Sequence, residues 1–161
     1  MKHLRKTLPF ALFLLMVLGV RLFQDRDVVD GMAPPLSGVT LSGQPFELAQ
    51  LRGKPSLVYF WAVWCGVCKA MQHNIDALAA DVPMISVAMQ SGDALTVGRY
   101  LKERSITMPV LLDDAALAAA RYGIRGVPVA FILGPDGDIR YTAVGYSTEW
   151  GLRLRLWLAG R

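Results

Sequence analysis

The hydrophobic pattern consists of short apolar runs separated by longer stretches in which apolar residues recur every three or four positions. An apolar run without polar alternation is typical of a strand that is buried on both faces, and the longer spacing is typical of helices. Polar residues that can cap a helix precede two of the predicted helices, at Asp113 or Asp114 and at Ser147 or Thr148. The pattern predicts strands at 56–62, 84–89, 110–112, 129–133 and 139–144, and helices at 66–80, 94–104, from the cap at 113–114 to about 122, and from the cap at 147–148 to 158.

This order of strand, helix, strand, helix, hairpin and helix is a mixed α/β pattern. It predicts a central sheet of at least four strands with helices on both faces. Ahead of this unit, 39–41 and 45–48 predict a short hairpin around a turn at 42–44. One helical turn follows at 48–51, and Gly53 ends it. We therefore expect an N-terminal hairpin attached to an α/β domain.

The first residues of the chain are typical of a targeting segment. A positively charged start precedes an uncharged apolar run of 13 residues from Leu8 to Val20. This length fits a signal peptide, whereas a membrane span needs about 20 residues. The apolar run extends through Phe23 if the Arg21 side chain reaches the membrane–water interface. No convincing signal-peptide cleavage site follows it. We predict an uncleaved signal anchor over 1–23, with a cleaved signal peptide as the alternative.

The next residues, 24–38, are polar and then bear proline and glycine, which predicts a linker to a domain over 39–161. The positive charges ahead of the apolar run place the domain on the far side of the membrane. The chain of 161 residues is 53% hydrophobic, so one domain can form a core without a disulfide scaffold. The net charge of +4 arises in the first 23 residues. Beyond them, 13 basic residues are balanced by 13 acidic ones, which argues against a nucleic-acid partner.

The only two cysteines are Cys65 and Cys68, at the point where the strand over 56–62 gives way to a helix. A bridge over so short a loop constrains the unfolded chain very little, so the pair is better explained by reactivity than by stapling. A helix N-terminus favours the thiolate, which makes Cys65 the attacking and Cys68 the resolving cysteine. Two alternatives are an inert buried pair and a zinc site. Zinc needs four ligands, and His73 is the only other soft candidate after residue 23.

A second motif, from Tyr122 to Val129, places Pro128 directly before a buried strand and after Gly126-Val127. A cis peptide bond between Val127 and Pro128 would turn the backbone polar groups of Val127 toward the cysteines and offer them to an extended substrate. An ordinary trans proline is the alternative, and only the presence of the cysteine pair favours cis.

Both motifs resemble those of thioredoxin: Phe60-Trp61-Ala62-x-Trp64-Cys65-Gly66-x-Cys68-Lys69 is similar to its active-site segment, and 122–128 is similar to its cis-proline segment. Residues 46–55 resemble the hairpin of membrane-tethered relatives of the TlpA, ResA and CcmG type, and 145–157 are most similar to suppressor of copper sensitivity proteins, ScsD. The resemblance implies a thioredoxin-like three-layer sandwich, with a central mixed sheet, helices on both faces and an N-terminal β-hairpin extension. It also implies thiol–disulfide exchange as the reaction.

From the same resemblance follow expectations about site, partners and location. Cys65 and Cys68 would be the redox pair, with no other cofactor and no metal. Relatives of this kind reduce extracytoplasmic protein disulfides and receive electrons from a DsbD-like membrane protein. The implied location is the bacterial inner membrane, with the domain in the periplasm, and ScsD adds an expected link to copper tolerance. The expected substrate-binding residues are Trp64, Gly66, Val67, Val127 and Pro128.

The aromatic residues allow more than one interpretation. Trp61 and Trp64 are expected to cover the redox pair, with core packing as the alternative for Trp61. For the closing helix, which contains Trp150 and Trp157, we predict core packing with the interposed arginines reaching out to solvent. A membrane-surface role is the alternative.

The chain also departs from its relatives, which carry a carboxylate near the second cysteine. The corresponding positions here are Tyr59, Gly66 and Met71, so the proton acceptor for Cys68 stays open. Two other functions remain as alternatives. One is a disulfide oxidase or isomerase, and the other is a copper chaperone of the Sco type, for which Met71, Met89 and Met108 would add soft ligands. The spacing of the two cysteines argues against the copper chaperone.

Overall fold

The computed structural model describes residues 28–161, which form one sheet of six strands, a separate two-stranded hairpin and four α-helices. Every strand and helix predicted from the hydrophobic pattern is present, with ends that differ by a few residues. In chain order the elements are β1 (Gly31–Met32), β2 (Ser37–Val39), β3 (Pro45–Glu47), a 3₁₀ turn (Leu48–Leu51), β4 (Ser56–Trp61), α1 (Gly66–Ala79), β5 (Met84–Met89), α2 (Ala94–Glu103), β6 (Val110–Asp113), α3 (Leu117–Arg121), β7 (Val129–Leu133), β8 (Asp138–Val144) and α4 (Glu149–Ala159).

The large sheet is mixed, as predicted, and its strand order is β1-β8-β7-β4-β5-β6. Strands β4, β5 and β6 run parallel, while β7 lies antiparallel to β4, and β8 antiparallel to β7. All six residues of β4 are buried, because helices or the hairpin segment cover both faces of this central strand. Its carboxyl end, at Trp61, leads directly to the two cysteines.

Side chains of β4 alternate between two core clusters. Leu57, Tyr59 and Trp61 face the cluster that contains the buried sides of α1, α2 and α4. Val58 and Phe60 face the opposite cluster, which contains α3 and the N-terminal segment. The layers are therefore helices, sheet, and helix with hairpin, which is the thioredoxin-like three-layer arrangement.

The N-terminal hairpin is present, and the chain before it also belongs to the domain. Strand β2 begins at Ser37 and pairs with β3, two residues earlier than the pattern predicted. Ala33 and Leu36 are buried, β1 pairs with β8, and the Tyr122 hydroxyl donates to the carbonyl oxygen of Pro34 at 2.8 Å. The predicted linker over 24–38 is therefore wrong for residues 28–38, which pack against the sheet. Two-residue strands are too short to leave a period in the sequence.

The predicted anchor over 1–23 lies outside the described residues. Between residues 28 and 161, none of the helices has both the length and the apolar character that a bilayer span requires.

The closing helix α4 corrects another expectation. Its buried residues are Leu152, Leu156 and Ala159, whereas Trp150 is 81% exposed and Trp157 is 54% exposed. Core packing of the two tryptophans was therefore the wrong prediction. Thr148 caps the helix by accepting a hydrogen bond from the backbone N–H of Gly151 at 3.2 Å, as predicted.

Asp113 stabilises the first turn of α3 through hydrogen bonds. The helix begins at Leu117, however, and not directly after the two aspartates from which the prediction started it. The Asp113 carboxylate is buried and accepts hydrogen bonds from the backbone N–H groups of Ala118 at 3.0 Å and Ala119 at 2.8 Å. These donors have no partner within a helix, because first-turn N–H groups never do.

Asp113→Ala leaves both N–H groups of α3 without an acceptor, so we expect a loss of about 2 kcal/mol in the free energy of unfolding. Urea unfolding at neutral pH measures this loss. The matched control is Asp114→Ala, since Asp114 is exposed and accepts a single bond from the Gly92 N–H at 3.1 Å. An equal effect of the two substitutions would contradict this account of the α3 start.

Candidate active site

Cys65 is the N-cap of α1, between the end of β4 and the first helical residue. Its backbone is extended, with φ −80° and ψ 113°, and its sulfur accepts a hydrogen bond from the backbone N–H of Cys68 at 3.0 Å. The two cysteines form a disulfide, with their Cα atoms 5.2 Å apart. A sulfur that already accepts a helix N–H as a disulfide also receives that donor as a thiolate, so the site stabilises negative charge on Cys65.

The second motif meets the first at the same edge of the sheet. Because β7 runs antiparallel to β4, with Val129 opposite Phe60, the residues just before β7 lie beside those just after β4. The Val127–Pro128 bond is cis, as expected, and the carbonyl oxygen of Val127 lies 3.5 Å from the sulfur of Cys65. The structure thus brings the C-x-x-C pair and the cis-proline segment into contact.

The surface around the disulfide is uneven. Both cysteines are buried, Cys65 at 6% exposure and Cys68 at 2%, while Trp64 is 56% exposed and Val67 is 46% exposed. Gly66 is exposed as well. The residues around and between the two cysteines therefore form an exposed, partly apolar rim around a recessed disulfide.

The two motif tryptophans have different positions. Trp64 lies at the surface, and its indole N–H donates to the carbonyl oxygen of Gln90 at 2.9 Å. Trp61 is 1% exposed and packs against the ring of Tyr100, with centroids 5.6 Å apart. The expectation that Trp61 covers the redox pair at the surface is wrong, and core packing, its alternative, is what the structure has.

Two residues of this site were missed from the sequence. The buried Ser91 hydroxyl accepts from the backbone N–H of Val63 at 3.1 Å and donates to the carbonyl oxygen of Met89 at 3.0 Å. Gln90 supplies the acceptor for Trp64. Both follow β5, whose carboxyl end lies at the same sheet edge as that of the parallel strand β4. This shared edge was the sequence signal that could have identified the two residues. The Ser91 hydrogen bonds join the segment before Cys65 to the loop after β5.

The proton acceptor for Cys68 is not a carboxylate of its own helix. The only acidic residue of α1 is Asp76, eight positions after Cys68 and so about 12 Å further along the axis. Its carboxylate already accepts from the backbone N–H groups of Thr107 at 2.7 Å and Met108 at 2.9 Å. Tyr59 is buried, and desolvation raises the pKa of its hydroxyl well above the ordinary value of 10.0. Tyr59 therefore stays neutral and does not act as a base at physiological pH.

Tyr59→Phe tests the protonation of this hydroxyl through stability. Above pH 10 the unfolded chain loses the Tyr59 proton while the folded chain keeps it, so stability falls as pH rises, by about 1.4 kcal/mol per pH unit for each such group. We expect the substitution to remove one such contribution from the decline between pH 10 and 11.5, measured by urea unfolding. Tyr141→Phe, at a partly exposed position on β8, is the matched control. An unchanged decline in Tyr59→Phe would mean that Tyr59 ionises normally.

A metal site finds little support in this part of the chain. Among residues 28–161 there is no cluster of three or more histidine, cysteine or acidic residues that could hold a metal ion. His73 is exposed on α1, and Met89 belongs to the core cluster on the opposite face of the sheet from the cysteines. Met71 and Met108 are buried as core residues. The methionines that suggested a copper chaperone are thus explained by packing.

The fold is thioredoxin-like, and its disulfide lies at the N-terminus of the helix after the central strand, in contact with the residue before a cis-proline. This combination defines a thiol–disulfide oxidoreductase with a C-x-x-C pair. Comparison with known proteins agrees. The AhpC/TSA family model matches residues 29–142, and the chain belongs to this family of thioredoxin-like proteins.

Individual relatives narrow the class to oxidoreductases of the Dsb and ResA type. The chain is 30% identical to a thioredoxin-like protein of Haemophilus influenzae over 98% of this chain and 95% of that one. It is 27% identical to the thiol-disulfide oxidoreductase ResA of Halalkalibacterium halodurans, over 68% of this chain and 64% of ResA. A secreted disulfide oxidoreductase of Mycobacterium tuberculosis, homologous to E. coli DsbE, superimposes with a TM-score of 0.67 at 25% identity, over 76% and 95% of the two chains.

Proposed function

We propose that this protein is a membrane-anchored, extracytoplasmic reductant of protein disulfides. The observation that carries the proposal is the placement of the Cys65 sulfur at the N-cap of α1, where it accepts the Cys68 N–H at 3.0 Å and lies 3.5 Å from the Val127 carbonyl oxygen. This placement stabilises an attacking thiolate and sets it beside backbone groups that an extended substrate can use.

In the proposed reaction, the Cys65 thiolate attacks one sulfur of a substrate disulfide. A mixed disulfide forms, and the other substrate sulfur leaves as a thiolate that takes up a proton. Cys68 then loses its proton and attacks the Cys65 sulfur. The Cys65–Cys68 disulfide closes, and the substrate leaves with two thiols and two electrons. The redox pair itself carries the electrons, so the reaction needs no further cofactor.

Substrate is held, on this proposal, by the exposed rim of Trp64, Gly66 and Val67 on one side and by Val127 and Pro128 on the other. The apolar surfaces of Trp64 and Val67 contact side chains next to the substrate disulfide. Backbone groups of Val127 pair with the substrate main chain, as in the addition of a strand to an exposed edge. Such binding depends little on substrate sequence, which suits a reductant with several protein substrates.

Residues 1–23 would hold the domain at the bacterial inner membrane, facing the periplasm, and a DsbD-like membrane protein would return electrons to Cys65 and Cys68. Support comes from the charge and apolar pattern of these residues and from the secreted M. tuberculosis relative. Similarity of 145–157 to ScsD motivates a role in copper tolerance through repair of protein thiols.

The reduction potential of the full chain, measured by equilibration with glutathione, tests the direction of the reaction. A reductant is expected near the thioredoxin value of about −270 mV, whereas an oxidase lies near the DsbA value of about −120 mV. A potential at the DsbA end would replace the proposed reductant with a disulfide oxidase. Intermediate values near about −180 mV, with faster reshuffling than net reduction of a scrambled substrate, would indicate an isomerase.

A further inference from the structure

Helix α4 carries apolar side chains on two opposite sides, and only one side is covered. Leu152, Leu156 and Ala159 pack into the core. The opposite side presents four large apolar residues to the surface, which we name the α4 stripe: Trp150 (81% exposed), Leu154 (57%), Trp157 (54%) and Leu158 (40%).

The α4 stripe is continuous. At about 100° per residue, its four positions fall within roughly 100° of the helix circumference, directly opposite the buried residues. A core helix needs only one such face, and exposed tryptophan is unusual on a surface that contacts only water. The four residues therefore form one apolar surface, and they are not scattered single exposures.

Basic groups border the stripe. The guanidinium of Arg161, just past the helix end, lies 3.7 Å from the centre of the Trp157 ring. Arg155 lies at one margin and donates to the carbonyl oxygen of Gly151 in its own helix at 3.1 Å, with no acidic partner between residues 28 and 161. Arg153 at the other margin differs, because Asp81 and Glu149 each accept from it at 2.8 Å. Arg155 and Arg161 leave positive charge beside the stripe.

The N-terminal segment joins the domain next to this helix. Val28, Val29 and Asp30 line a shallow groove together with Tyr146 and Arg155. Residue 28, where the described chain begins, therefore lies beside Arg155 of α4. Under the proposed function, the anchor over 1–23 ends five residues before this point in the sequence, so the membrane that it enters is within reach of the stripe.

A second copy of the chain is a poor occupant for the stripe. Helix α4 has 11 residues, so it is about 16 Å long and about 10 Å across. Such a face offers a small fraction of the roughly 800 Å² that each partner buries in a stable dimer. A lipid surface does not require a minimum contact area of this kind. A helix with tryptophan and leucine on one side and arginine at its margins is also typical of helices that lie in the membrane interface.

We propose that the α4 stripe lies in the headgroup region of an anionic phospholipid bilayer. Trp150 and Trp157 sit at headgroup depth, where tryptophan is enriched in membrane proteins. Arg155 and Arg161 face lipid phosphates. This proposal rests on the membrane anchor of the proposed function. It adds a fixed orientation of the domain relative to the membrane, because the anchor and the α4 stripe together attach the domain at two places, whereas the anchor alone would let it rotate.

Tryptophan fluorescence in proteoliposomes tests the proposal with the full chain. Vesicles contain phosphatidylglycerol and phosphatidylcholine with brominated acyl chains, which quench tryptophans at the membrane. All proteins carry Trp64→Phe, so the remaining tryptophans are the buried Trp61 and the two of the stripe. We expect the loss of tryptophan fluorescence in brominated vesicles to be at least twice the loss in vesicles without bromine. Leu154→Glu is expected to abolish this excess, and the matched control Leu95→Glu, an exposed leucine on α2, is expected to keep it.

Two further measurements separate the ways in which the proposal can fail. Flotation uses the same preparations, and insulin reduction uses matching preparations in which Trp64 is retained. A chain that floats with the vesicles without excess quenching overturns the lipid contact and leaves the anchor intact. Loss of crosslinked dimers in Leu154→Glu, again without quenching, overturns it in favour of a second copy. A chain that neither floats nor is quenched overturns both anchor and lipid contact. Insulin reduction reports the thiol chemistry independently in each case.

Discussion

Replacing Cys65 with alanine is expected to reduce disulfide reduction by more than about 1,000-fold, to the uncatalysed level. The reason is that Cys65 is the cysteine whose sulfur lies at the helix N-terminus and beside Val127. Cys68 is 2% exposed, one helical turn further in, and a substrate disulfide does not reach it in this conformation. Insulin turbidity with a chemical reductant measures the rate.

Cys68→Ala is the matched variant, because it removes the other half of the same disulfide. Here Cys65 still attacks, but no second thiol releases the product, so mixed disulfides with substrates accumulate and are visible on non-reducing gels. In cells, the same variant traps the physiological substrates and the electron donor on Cys65. If mixed disulfides accumulated on Cys65→Ala and not on Cys68→Ala, Cys68 would be the attacking cysteine and Cys65 the resolving one, which would contradict the assignment. Thermal unfolding against the reduced wild type controls for the loss of the disulfide itself.

The pattern predicted the central part of the fold because that part is governed by local physics. Strand β4 and helix α1 keep nearly their predicted bounds, since a continuous apolar run and a 3.6-residue period are hard to satisfy in any other way. The position of Cys65 at the helix N-terminus followed from the same two elements. The contact with Val127 was expected only because the proline motif occurs together with the cysteine pair, since no local signal at residue 127 indicates the cysteines.

The errors have a common cause, which is that periodicity identifies an apolar face but not what covers it. Helix α4 has two apolar faces, and the sequence did not distinguish Leu152 from Trp150 as the side that meets the core. Strand β4 is buried on both faces, so alternation carried no information about Trp61. Segment 28–38 holds its place through contacts far away in the chain, such as the bond from Tyr122 to Pro34. Polar and proline-bearing residues of this kind resemble a linker until their partners are known.

The dipeptide between the cysteines is expected to set the reduction potential through its backbone. Val67 is the second residue of α1, and its N–H belongs to the first-turn donors that have no partner within the helix. Such a donor, which lies between the two cysteines in the chain, is expected to stabilise thiolate more than disulfide. It therefore favours the reduced protein and raises the potential.

Val67→Pro removes this N–H while proline remains compatible with the first helical turn. We expect the reduction potential to fall by about 30 mV, the equivalent of one charge-assisted hydrogen bond of about 1.4 kcal/mol in a two-electron couple. Val67→Ala is the matched control, because it removes the exposed side chain and keeps the donor, and its potential should equal that of the wild type. Both are measured by glutathione equilibration at constant pH. An equal shift in the two variants would assign the effect to the side chain of Val67, and no shift in either would mean that the pair of residues between the cysteines does not tune the potential.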